Sequence, residues 1–371
     1  MSVFRIDSLT LGRSSTPVIV AEMSGYHNQS LDRALAIVDA AAEAGAHAVK
    51  LQTYTPDTMT LDLRSGEFLI DDAGSPWRGY SLYDLYKTAH TPWDWHEAIF
   101  RRCRRYNMAC FSTPFDPSAV DFLETLGNPC YKIASFEITD LHLIRKAAST
   151  GKPLILSTGM ATMEEIGEAV REARRAGDGG VLLLKCTSSY PAPPGESNIR
   201  TLEDLRSRFD VEVGISDHTV GIGTAIAAVA LGAVLIEKHF TLNRADGGVD
   251  ASFSLEPGEL RCLVDETRRA WESLGVVRYG PTVGETPSLR FRRSLYFSRA
   301  LERGAIISPG DVRSIRPGYG LPPKYLDRVL GMRLRSPVAP GIPVRWDLLE
   351  DTGKNAPFPG ADGGKQGGRE P

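Results

Sequence analysis

The chain has 371 residues, 24% of them charged and 42% hydrophobic, with a formal net charge of −3. That length supports a large core and more than one small domain. The charge excludes a global attraction to nucleic acid or to a membrane surface, so any anionic ligand must be held by a local cluster.

In chain order, short β-branched runs alternate with amphipathic helical stretches. The first run is PVIVAEM (17–23). A helix follows over 30–45, opened by Ser30 as N-cap and closed by Gly45. The next run is AHAVKLQTY (46–54). Segment 55–90, carrying Trp77, Tyr80, Tyr83, Tyr86 and His90, is long for a loop and reads as a lid or substrate wall. TPWDWHEAIFRRCRRY (91–106) is helical, with Pro92 in its first turn. MACFSTPF (108–115), CYKIAS (130–135) and PLILSTG (153–159) are further strands. Thr162 and Glu165 form a capping box at the head of the helix 162–177. VLLLKCTSSY (181–190), VEVGISDHT (211–219) and AVLIEKHFT (233–241) complete eight strands. The small apolar stretch 220–233 and residues 258–274 supply helices.

Eight strands alternating with helices predict an α/β fold, a (β/α)8 TIM barrel over 1–284, in preference to a doubly wound open sheet. The polar residues decide the preference, because they cluster at strand C-termini, where barrels carry their chemistry. After about residue 285 the texture turns rich in Pro, Gly and Arg, which predicts a small β-rich domain over 285–351. Residues 352–371 have almost nothing to bury and read as a disordered tail. No apolar run reaches the roughly 18 residues of a membrane span, and MSVFRIDSLTLGRSS has no signal-peptide core. The five cysteines are scattered without a CxxC pair and read as reduced thiols in a cytoplasm.

Lys50, Thr113, Lys132, Ser135, Ser157, Ser188 and Ser216 fall at strand ends. Two ammonium groups and several hydroxyls at one mouth suit a phosphate and a carboxylate together. His218 and His239 end consecutive strands, close enough to share a metal ion or to be two buried, hydrogen-bonded rings. Glu22 ends the first strand, as a base, a water-orienting group or a lysine partner. Asp217, of opposite parity to His218, reads as structural.

AEMSGYHNQS, KLQTY, FSTPFD, YKIAS, STGM, KCTSSYP, GISDHT and EKHFTL resemble, in order, the motifs of the sialic acid synthase family. IRPGYG resembles that family's antifreeze-like (SAF) domain, so the resemblance spans about residues 3–350. QTYTPDTMT, AHTPWDWH, KIASFEI and FRRSLY are most similar to members that take a 2,4-diacetamido-2,4,6-trideoxy sugar. The resemblance implies condensation of phosphoenolpyruvate with an acetamido sugar aldehyde, with phosphate leaving by C–O cleavage. It implies phosphoenolpyruvate ligands at Lys50, Thr113, Lys132, Ser135, Ser157 and Ser216, to which the strand-end reading adds Ser188. It implies a divalent metal (Mn2+, Mg2+ or Co2+) on His218 and His239, and proton or water handling at Glu22. Gln52, Glu137, Tyr190 and Asp250 match positions facing the sugar. Arg316 matches an arginine that reaches across a domain-swapped homodimer. Two departures, Ser188 for an asparagine and Phe136 for a small residue, count against N-acetylmannosamine and suit a more apolar 6-deoxy sugar. The rivals are another phosphoenolpyruvate-condensing barrel, a Schiff-base aldolase using Lys50 or Lys132, and a non-catalytic sugar-binding barrel.

Overall fold

The computed structural model describes residues 4–71, 77–248 and 251–352. Asp250 and residues 353–371 of the expected tail lie outside the described residues. The chain divides into two compact units between Gly275 and Val276, ahead of the change in sequence texture near residue 285.

The first unit is a closed parallel barrel of eight strands. They are β1 (Val18–Glu22), β2 (Ala48–Thr53), β3 (Ala109–Pro114), β4 (Tyr131–Ile133), β5 (Leu154–Ser157), β6 (Val181–Cys186), β7 (Glu212–Asp217) and β8 (Leu235–His239). Each strand pairs with its neighbours in sequence, and β8 closes onto β1. All eight expected strands are present.

Side chains alternate along a strand, so each strand sends one parity inward. One parity joins the core between sheet and helices, as Ile19, Ala21, Val49, Leu51 and Ile236 do. The other fills the barrel, where Val18, Val20, Ala48, Phe111, Ile155, Leu182, Leu184 and Leu235 pack together. Phe4, Ile6 and Leu11, from a short antiparallel hairpin, belong to this inner cluster. Following the inward parity upward, Val18 and Val20 lead to Glu22, Ala48 to Lys50, Ile155 to Ser157, and Leu235 to Glu237 and His239. The inner core thus changes from apolar to polar near the C-terminal strand ends.

β6 ends at Cys186, four residues short of the expected run. Just past that end the Thr187 carbonyl accepts from a side chain, His218 Nδ1, at 2.9 Å. The helix Leu31–Glu43 starts where Ser30 Oγ accepts from Arg33 N, and the chain leaves it through Gly45 at φ +89°. Both halves of the Thr162/Glu165 capping box form, at 3.2 and 2.7 Å. The expected helix at 91–106 begins as a 3₁₀ turn, Trp93–Trp95, before the α-helix His96–Arg105. The stretch expected at 220–233 is helical only over Gly223–Ala230.

The second unit pairs Ser294–Phe297 with Val312–Ile315, and Arg333–Leu334 with Leu349–Glu350, both antiparallel. Leu295, Phe297, Ile307, Val329, Leu334, Val344 and Leu349 make its core. No described helix is long and apolar enough to cross a membrane.

His96 is fully buried, with Nε2 2.8 Å from Thr53 Oγ1 and Nδ1 3.2 Å from the Pro92 carbonyl. Burial pushes its pKa down to about 4. The unfolded chain therefore takes up a proton near pH 6.5 that the folded ring refuses. The resulting stability is complete above pH 6.5 and is lost as pH falls toward 4. At most about 3 kcal/mol is at stake. The urea midpoint should fall between pH 7 and pH 5, and less steeply in His96→Gln. An identical pH slope in the two proteins would contradict this.

Candidate active site

The barrel opens at its C-terminal end into a cavity of about 660 Å³. Glu22, Lys50, Gln52, Lys132, Ser135, Glu137, Ser157, Tyr190, Ser216, His218 and His239 all line it. Register explains the convergence. Glu22 lies opposite His239 on one side and Lys50 on the other, while Ser216 lies opposite both Glu237 and Cys186.

Glu237 sits at the centre and is buried. Its Oε1 accepts from Ser216 Oγ at 3.0 Å and lies 3.4 Å from Lys132 Nζ and 3.5 Å from Lys50 Nζ. Burial pushes this carboxyl up, but the two ammonium groups outweigh it and hold it below the usual carboxylate range. Lys50 also meets Glu22 Oε2 at 2.9 Å and donates to Thr113 Oγ1 at 3.3 Å. Burial lowers the Lys50 pKa, Glu22 and Glu237 more than compensate, and the net shift is upward. Lys132, with Glu237 as its only ion-pair partner among the described residues, stays below its ordinary value because burial wins. Glu22 is further held by Gln52 Nε2 at 2.8 Å.

The anion side is a cradle of hydroxyls. Ser135 Oγ accepts from Gly159 N at 3.1 Å. A Cβ on Gly159 would strike the Ser188 hydroxyl and come within 2.7 Å of Ser135 Oγ, so both hydroxyls converge on this glycine. Ser157 Oγ is buried and has no hydrogen-bond partner among the described residues. Such an orphan at a cavity wall is completed by a ligand or water. Glu137 Oε2 is likewise unpartnered, and burial, only partly offset by Lys132, pushes Glu137 up to about 7. Thr113 and Ser188 stand behind the wall, reached through Lys50 and Gly159. Arg316 is an exposed residue of the second unit.

His218 and His239 have ring centres 5.3 Å apart. His218 Nδ1 lies 2.9 Å from the Thr187 carbonyl, and His239 Nδ1 lies 3.0 Å from the Tyr26 hydroxyl. Each ring is thus held through Nδ1, the usual outer-shell arrangement of metal-binding imidazoles. Burial pushes His239 well below its ordinary value, so the ring is neutral and able to ligate. His218 moves the other way: burial lowers it, but Cys186, the Thr187 carbonyl and Glu237 together outweigh burial. The Thr187 carbonyl is the nearer partner of that Nδ1, since Cys186 Sγ is 3.9 Å away, and it serves a neutral ring equally well. Among the described residues no group of three or more His, Cys, Asp and Glu side chains is placed to hold a metal. The pair supplies two ligands, one short of the three protein ligands of the usual catalytic site, so an ion there would take its remaining positions from water and substrate. Asp217 pairs with Lys238 at 3.1 Å, both buried, which is the structural role its parity predicts.

Sequence reasoning missed Glu237 as a site residue. Its signal was its shared parity with His239, two positions on. It also missed Met59 and Leu85, which line the cavity from segment 55–90.

A parallel barrel with two lysines, a hydroxyl cradle and an imidazole pair at one mouth suits an enzyme with an anionic substrate. The comparisons narrow it. The NeuB family model matches residues 37–279 and the SAF domain model residues 292–350. The chain is 39% identical to pseudaminic acid synthase from Helicobacter pylori, over 90% of this chain and 98% of that protein. It is 34% identical to N,N'-diacetyllegionaminic acid synthase from Legionella pneumophila, over 91% and 96% of the two chains. Among solved structures it is similar to an N-acetylneuraminic acid synthetase from Leptospira borgpetersenii in complex with citrate. There the TM-score is 0.69 and the identity 31%, covering 78% of this chain and 96% of that one. The chain belongs to the NeuB family of synthases, with a C-terminal SAF domain.

Proposed function

We propose that this chain works as a pseudaminic acid synthase, condensing phosphoenolpyruvate with 2,4-diacetamido-2,4,6-trideoxy-L-altrose. The observation that carries the reading is 39–40% identity to pseudaminic acid synthases over most of the chain, together with the lysine–hydroxyl cradle. The enol C3 of phosphoenolpyruvate bonds to the aldehyde carbon, water adds at C2, and phosphate leaves by C–O cleavage. The products are a nine-carbon ulosonic acid and inorganic phosphate.

Lys50, Lys132, Ser135, Ser157 and Ser216 hold the phosphate and carboxylate, with Thr113 and Ser188 supporting them. Glu22, fixed by Lys50 and Gln52, stands where it can orient the attacking water or accept its proton. Gln52, Glu137 and Tyr190 face the sugar, and Asp250 joins them in this reading. His218 and His239 would hold a divalent ion, Mn2+, Mg2+ or Co2+, which supplies Lewis-acid polarisation of the aldehyde. Arg316 reaches the pocket of a partner subunit in a domain-swapped homodimer, a role that rests on the match of IRPGYG alone. We place the reaction in the cytoplasm, on the strength of cysteines that are all free thiols. The domains in this reading are the barrel at 1–284 and the SAF domain at 285–351.

The test is phosphate release from phosphoenolpyruvate with a panel of acetamido sugars and Mn2+. The trideoxy sugar should support it best. Release with N-acetylmannosamine alone would replace the substrate, and release with no sugar would remove the function.

A further inference from the structure

The cavity has two walls of opposite chemistry. The barrel strands supply the charged and hydroxylated wall described above. The facing wall comes from segment 54–89 and the end of β3: Tyr54, Met59, Leu85, Tyr86 and Phe115. Met59, Leu85 and Tyr86 are only half-buried, so apolar surface stands bare toward the cavity. Such surface gains free energy when an apolar group covers it.

The wall is preformed. Tyr54 is buried and packs edge-on against Tyr86 at 5.8 Å and Phe115 at 5.2 Å. This fastens the helix Leu82–Ala89 to the end of β2. Gln29 Nε2 donates to the Thr88 and His90 carbonyls at 2.9 and 2.8 Å, pinning the helix C-terminus. Gly25 lies so close that a Cβ there would sit 2.9 Å from the Ala89 carbonyl. A wall held at three points keeps its shape without ligand and can discriminate between ligands.

We propose that Met59, Leu85 and Tyr86 form the specificity wall that reads the methyl-bearing, deoxygenated end of the acceptor sugar. The proposal rests on the condensation reading above. In that reading the aldehyde sits beside the imidazole pair and phosphoenolpyruvate on the lysines, which leaves the segment 54–89 wall of the same cavity for the far end of the sugar. A methyl group there covers Leu85 and Met59. A hydroxymethyl group would place its hydroxyl against the Leu85 and Met59 side chains, which offer it no strong hydrogen-bond partner.

The test compares the 2,4-diacetamido-2,4,6-trideoxy sugar with its 6-hydroxy counterpart, using native protein, Leu85→Asn, Met59→Gln and the conservative Leu85→Met. The native protein should prefer the 6-deoxy sugar by about 10- to 100-fold in kcat/KM. Leu85→Asn and Met59→Gln should each shrink that ratio about tenfold, with KM for phosphoenolpyruvate unchanged. Leu85→Met should keep the ratio and shows that the helix tolerates substitution. An unchanged ratio in both polar variants would overturn the proposal. Equal use of the two sugars by the native protein would overturn it while leaving the condensation intact. Absence of phosphate release with either sugar would remove the condensation reading and the wall together.

Discussion

Glu237→Ala should unfold about 3–5 kcal/mol more readily than the native chain, because it leaves two buried ammonium groups facing each other without their shared carboxylate. Lys50 retains Glu22 at 2.9 Å, whereas Lys132 is left without an ion-pair partner among the described residues. The same variant should gain more stability from phosphoenolpyruvate than the native protein does, since the ligand supplies the missing negative charge. In this account Glu237 is a placeholder anion. It keeps both lysines charged and aimed at the cavity until substrate arrives. Thermal unfolding with and without phosphoenolpyruvate separates this from a packing role. A plain cavity would lower stability without enlarging the ligand effect. An equal ligand shift in both proteins would contradict the placeholder role.

The second large effect concerns the imidazoles. His218→Ala and His239→Ala should each lower kcat/KM by about 10³-fold, the several kcal/mol that Lewis-acid polarisation contributes. Each should also abolish tight Mn2+ binding measured by calorimetry. That second readout does not depend on turnover. Both rings are held through Nδ1 from outside the pair, so removing one should leave the other in place but short of a ligand. Tyr26→Phe, which removes the hydroxyl at His239, should weaken Mn2+ binding about 10- to 100-fold. Mn2+ binding unchanged in both alanine variants would contradict the two-histidine site.

Much of this was legible in the sequence, for physical reasons. The barrel follows from eight β-branched runs separated by helices with readable caps at Ser30 and Thr162. The site residues follow from parity, because a period of two turns a list of strand-end residues into one inward-facing layer. Lys50, Lys132, Ser157, Ser216 and His239 were found by their places at strand ends. Glu237 had the same parity, but its role depends on residues of three other strands lying 3.0–3.5 Å from it, a distance no single strand encodes. The wall of Met59, Leu85 and Tyr86 was hidden for another reason. Segment 55–90 has no simple period, and its aromatic residues announced a wall without saying which faced the cavity. β6 ran too long in the sequence reading because Ser188–Tyr190 look strand-like. The His218–Thr187 contact just past the strand end is long-range.

The central claim is that phosphoenolpyruvate loses phosphate by C–O cleavage while joining an acetamido sugar. Phosphoenolpyruvate labelled with oxygen-18 at the bridging position, incubated with the trideoxy sugar and Mn2+, tests it most directly. The account predicts that the label leaves in the inorganic phosphate and that the nine-carbon product carries none of it. Label retained at C2 of the product would mean P–O cleavage and would contradict the account.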